Sequence, residues 1–178
     1  MSKKEPNQQT AVIAKYEPTP DESAAIKTIL ARRVKTPRVK IAETKGKTVL
    51  SLDHPNPKYD LALLMQALAT DGVDFQAEII SQLGNASAHD GKVNERELNF
   101  MVAVVKGIQP KDQVETMLAA QMAAVHSLTM SMVSRLNGIF TLPQLDITER
   151  ALNKLARTFA AQVETLKRYR STGGNGRS

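Results

Sequence analysis

With 178 residues, 42% of them apolar and only 4% aromatic, the chain has material for one hydrophobic core made mainly of Ala, Leu and Met. Its lack of cysteine excludes disulfides, thiolate nucleophiles and cysteine-ligated metals. The net charge of +6 is unevenly distributed: Lys and Arg outnumber Asp and Glu by 12 to 7 in residues 1–60, trail them by 5 to 8 in 61–145, and lead by 7 to 3 in 146–178.

Residues 1–18 are polar and aperiodic, which predicts a disordered leader. Met1 to Gln9 has no apolar region behind it, so no secretory signal is expected, and no run approaches the roughly 20 apolar residues of a membrane span. The expected location is the cytoplasm, with no membrane partner.

Thr19-Pro20-Asp21-Glu22 reads as a helix start: a capping hydroxyl, Pro at the first helical position and acids in the first turn. Ile26, Ile29 and Leu30 give this short helix an apolar stripe that ends near Arg33. From Arg32 to Lys47 the chain reads RRVKTPRVKIAETKGK, interrupted by Pro37 and Gly46, which predicts a basic arm or linker. A brief extended stretch at Thr48 to Leu52 stops at His54-Pro55-Asn56-Pro57.

A helical domain is expected from residue 57. Leu61, Leu64, Met65 and Leu68 repeat at helical spacing up to Asp71-Gly72. A second short helix, Asp74 to Leu83, buries Phe75, Ile79, Ile80 and Leu83, with Gly84 as a left-handed cap. A third begins at a capping box of Asn94 and Glu97, is lined by Leu98, Met101, Val102 and Val105, and ends at Gly107. Two long helices follow, at about 110–137 and 146–170, with a short connection that makes them antiparallel. Gly173-Gly174-Asn175-Gly176 opens a disordered tail, 171–178. The organisation is therefore mainly α: a flexible basic region (1–56) with one short helix, then a domain (57–170) of three short helices and a long antiparallel helical hairpin (110–170).

Heptad spacing on the first long helix gives the seam Val114, Leu118, Gln121, Val125, Leu128, Met132 and Arg135. The second gives Leu152, Leu155, Phe159, Gln162, Leu166 and Tyr169. A turn centred near residue 142 sets Gln121 level with Gln162, a polar pair suited to fixing register; two half-exposed glutamines are the plainer alternative. Met117, Met122, Met130, Val133 and Leu136 lie off that seam, a surface wide enough for the core or another subunit.

No catalytic, cofactor or metal fingerprint stands out. His54, His89 and His126 lack ligand spacing. Ala86 to Glu97 resembles a calcium loop at Asp90, Gly91, Val93 and Glu97, but Ala86 and Ala88 occupy ligand positions, and an Asp90-Gly91 turn before a capped helix explains the matches. The basic arm carries the binding expectation, with Arg32, Arg33, Lys35, Arg38, Lys40, Lys45 and Lys47 following a phosphate backbone and Lys167, Arg168 and Arg170 as a second cluster. A solvated linker is the rival reading. The helix from Asp74 carries Glu78 and no Lys or Arg, which argues against a DNA-reading helix.

The run LNFMVAVVKGIQPKDQVETMLAAQMAAVHSLTM from Leu98, with the later ERALNKLARTFAAQVETLKRYR, resembles a family of uncharacterised bacterial and prophage-associated proteins. The likeness covers roughly the last 80 residues, and loosely Tyr59 to Gly84. Members often continue into a short His- and Val-rich tail, where this chain reads GGNGRS. The hairpin layout is similar in outline to small terminase subunits, which form rings through helical hairpins and bind DNA through separate modules. The family carries no activity over to particular residues; the basic arm, the hairpin and the outline likeness to terminase subunits together lead to an expected non-enzymatic homo-oligomer of a phage or mobile element that associates with DNA. A scaffold docking a partner helix on its Met- and Ala-rich face is the alternative.

Overall fold

The computed structural model describes residues 16–34, 36–44, 47–136, 138 and 141–172. It is mainly α, with six helices and two short antiparallel hairpins among those residues. Two compact units divide at Val34 and Lys35 rather than at residue 56.

The first unit holds α1 (Pro20–Val34). The Thr19 hydroxyl accepts the Glu22 amide at 3.3 Å while the Glu22 carboxylate accepts the Thr19 amide at 2.8 Å, the reciprocal cap that these residues predict. The helix runs past Arg32 and Arg33, so the basic stretch begins helical. Ile26, Ile29 and Leu30 are exposed, at 48%, 62% and 51%.

The second unit opens with a β-hairpin where a loose arm was expected. β1 (Val39–Thr44) pairs antiparallel with β2 (Lys47–Leu52), Val39 opposite Leu52 and Ile41 opposite Leu50. Its apolar residues alternate, which the basic residues between them obscure in the sequence. The outer edge of β1 is met by helix side chains: Asn99 accepts the Val39 amide at 2.9 Å and donates to the Val39 carbonyl at 2.8 Å, and Glu95 accepts the Ile41 amide at 2.9 Å. Val39 is 2% exposed, so this hairpin belongs to the core.

Helices α2 (Pro57–Ala67) and α3 (Val73–Ala86) follow, α2 capped by the Asn56 side chain on the Lys58 and Tyr59 amides. Gly84 lies inside α3 rather than capping it. A Cβ there would meet Leu50 Cδ1 at 3.7 Å and Val93 Cγ1 at 3.8 Å, so glycine sits where both β-hairpins close on the helix. The second of these, β3 (Ala88–His89) with β4 (Lys92–Val93), turns on Asp90 and Gly91, both at positive φ.

Helix α4 (Glu95–Ile108) forms the centre of the unit, and all four predicted residues, Leu98, Met101, Val102 and Val105, are fully buried. Its left-handed cap is Gln109, φ 55°, not Gly107. Asn94 accepts the Glu97 amide as expected; the Glu97 carboxylate turns instead to His89, at 2.6 Å.

Helices α5 (Gln113–Leu136) and α6 (Leu142–Thr172) form the antiparallel hairpin. α6 starts earlier than expected, with Pro143 tolerated in its first turn, where no amide needs a helical partner. Toward the core, α5 presents small residues: Thr116, Ala119, Ala120, Ala123 and Ser127 are all buried. The seam toward α6 lies one residue along from the predicted one, passing through Glu115, which bonds Arg170, and His126, whose ring is 6.0 Å from that of Phe159. On α6 the predicted seam holds, with Leu166 buried and Leu152, Leu155, Phe159 and Gln162 half-buried.

Candidate functional site

Three regions bear on function: the basic residues, the hairpin, and a cleft beside α4. Arg32 is exposed on the last turn of α1; the side chain of Arg33, all of Lys35 and Lys45, and the side chain of Lys47 lie outside the described residues. Arg38 is exposed just before β1. Lys40 forms an ion pair with Asp53 at 2.6 Å, and that hydrogen-bonded carboxylate raises its pKa. Of these cations, Lys40 lies on a folded hairpin and is already matched to a carboxylate.

Arg170 likewise acts within the fold. Its guanidinium donates to Glu115 Oε2 at 2.8 and 3.1 Å and to the carbonyls of Ile108 and Gln109 at 2.9 and 3.2 Å. Glu115 is 2% exposed and also accepts the Lys111 amide, while Asp112 caps the Glu115 amide. Beside this clasp the Tyr169 hydroxyl donates to Asp112 at 3.1 Å, a bond that raises the tyrosine pKa. Asp112-x-x-Glu115 is a capping-box spacing that could have marked the true start of α5.

The glutamine pair does not form. Gln121 is exposed, and Gln162 Oε1 is buried without a hydrogen bond. The contacts at Glu115 and His126 share one register, which sets Gln162 level with Ala123, because the α5 seam is rotated by one position. Of the other packing candidates, Val125 and Met132 are half-buried on the side of α5 away from that seam, and Phe159 meets His126.

The cleft was not foreseen. It encloses about 440 Å³ where the β3–β4 turn, the start of α4 and the middle of α5 converge, bringing together His89, Arg96, Glu97, Phe100, His126 and Ser127. His126 is flanked by Phe100 at 5.8 Å and Phe159 at 6.0 Å. Sequence distance hides the group: His89 and Glu97 straddle a turn, and His126 arrives from α5. Among the described residues no set of His, Asp and Glu is arranged to hold a metal ion, and no helix is long and apolar enough to cross a membrane. No family model, curated protein or solved structure matches the chain.

Proposed function

We propose that the protein is a non-enzymatic helical module that self-associates through the outer face of α5 and holds DNA by its backbone, in a phage or mobile element. One observation carries the assembly: from Thr116 to Ser134 α5 contains no Asp, Glu, Lys or Arg, yet Met117, Gln121 and Leu128, which share one side of the helix, are exposed. A helix about 36 Å long that met only water would carry charge on that side. Its large residues keep heptad spacing at Val114, Leu118, Val125, Leu128 and Met132, the pattern that packs against another helix. A second copy brings no like charge to this face. Antiparallel pairing sets Leu118 of one copy against Leu128 of the other.

Sedimentation or light scattering tests this. The whole chain is expected to be dimeric or larger at about 100 μM, and Leu128→Lys, at a position 49% exposed, to lower the mass without loss of helicity. A monomeric parent, or an unchanged mass in the variant, overturns it.

The DNA reading draws its support from exposed Arg38 and from Lys154, Arg157, Lys167 and Arg168, all exposed on α6. An assembly with separate backbone contacts matches small terminase subunits in outline only. Binding should show little sequence preference and weaken steeply with salt. Lys154→Ala with Arg157→Ala should flatten the log–log salt slope by about 2. Deletion through residue 47 is unsuitable as a control because it removes the buried Val39. An assembled protein without affinity for DNA at low salt leaves the alternative, a scaffold for other helices.

A further inference from the structure

We propose that the cleft beside α4 binds a small aromatic carboxylate, its ring against Phe100 and Met130 and its carboxylate toward Arg96. The volume of about 440 Å³ lies in the range of small-molecule pockets. Four features of its wall define the ligand.

The first is an unused hydroxyl. Ser127 lines the cleft, is only 8% exposed, and makes no hydrogen bond among the described residues. Elsewhere on these two helices Thr116, Thr129, Thr148, Thr158 and Thr165 each bond the carbonyl four residues back. A hydroxyl that is not spent on the helix backbone can bond a polar ligand atom instead.

The second is the charge pattern. Glu97 is the sole carboxylate of the lining, and His89 holds it at 2.6 Å, so it is engaged before a ligand arrives. Arg96 is exposed, has no carboxylate partner among the described residues, and offers a planar donor fork that fits a carboxylate in two-point fashion. The cleft therefore favours an anion over a cation.

The third is an apolar wall with aromatic character. Phe100 is 44% exposed and Met130 53% exposed, which leaves apolar surface in the cleft that a flat ring can cover. The fourth is His126, whose ring nitrogens have no hydrogen-bond partner among the described residues although the ring is held between two phenylalanines. It adds a polar atom to an otherwise apolar side of the slot. Ring, anion and a further polar contact together describe a benzoate-like acid.

The test uses the whole chain with methyl-labelled methionine and benzoate, 4-hydroxybenzoate and benzyl alcohol as probes. The Met130 methyl resonance, assigned with Met130→Leu, is expected to shift saturably with both acids below about 10 mM. Arg96→Gln should weaken both acids about tenfold, and Ser127→Ala should weaken them several-fold, each with an unchanged melting curve. No saturable shift overturns the proposal. So does equal affinity for benzyl alcohol, which shows an apolar slot indifferent to charge, or binding that survives both substitutions. Self-association plays no part in the outcome, so the test stands apart from the assembly test.

Discussion

The carboxyl of Asp60, 2% exposed in the first turn of α2, has one oxygen with no hydrogen-bond partner. Burial raises its pKa, with His54 opposing and Asp53 reinforcing. A carboxyl whose folded pKa lies above its unfolded value binds its proton more tightly in the fold, so this site penalises the fold above the raised pKa. The penalty fades as pH falls through that value. Asp60→Asn should therefore stabilise the protein at pH 7 by about 1 kcal/mol, net of a weakened helix-dipole contact, with the gain shrinking toward pH 4 in urea melts. A variant less stable than the parent at pH 7 contradicts this account. Asp60 was hidden because an acid in a first helical turn reads as a dipole partner, and only the tertiary fold shows it stripped of water.

At the scale of elements, helices with large buried residues were legible. Leu98, Met101, Val102 and Val105 marked α4, and Leu152, Leu155, Phe159 and Leu166 marked the inner face of α6, because size and spacing agreed there. On α5 they disagreed: Ala119, Ala120 and Ala123 face the core while Val114, Leu118, Val125 and Leu128 lie off it, so the larger residues marked a neighbouring stripe. Strand β2 matches the extended stretch expected at Thr48 to Leu52, whereas β1 was masked by its basic residues, and the edge bonds from Asn99 and Glu95 have no local signature. The clasp that anchors α6 has a measurable weight. Arg170→Met leaves the buried Glu115 charge unmatched and should cost about 3–5 kcal/mol in chemical denaturation. Adding Glu115→Gln should recover much of that loss, since a neutral amide is less costly to bury; no recovery in the double variant would show that the Arg170 bonds to the Ile108 and Gln109 carbonyls dominate.

For the second unit as a whole, order is concentrated at one end. Core residues cluster on α3, α4 and the first half of α5, whereas Leu166 is the one residue among the 31 of α6 that is buried. Amide exchange should therefore be slowest in α4 and fastest among the hairpin helices near Leu136 and Leu142 at low protein concentration. Raising the concentration should slow exchange along α5 if copies pair there. The cleft beside α4 lies where the tightly packed part gives way to the projecting hairpin, and its lining comes from three separated stretches of chain. Such convergence is invisible to motif spacing, which explains why the basic stretch drew attention instead.

The run of small residues on the inner face of α5 also sets how the chain can vary. Ala119 and Ala123 are completely enclosed, so any side chain larger than a methyl must displace its neighbours in the core. Met117 and Leu128, facing outward, can change shape without disturbing the fold, although the pairing proposed for α5 asks them to stay apolar. The residues with the least chemistry are thus the hardest to replace, and a library of folded variants should keep Ala119 and Ala123 while Met117, on the outer side, drifts.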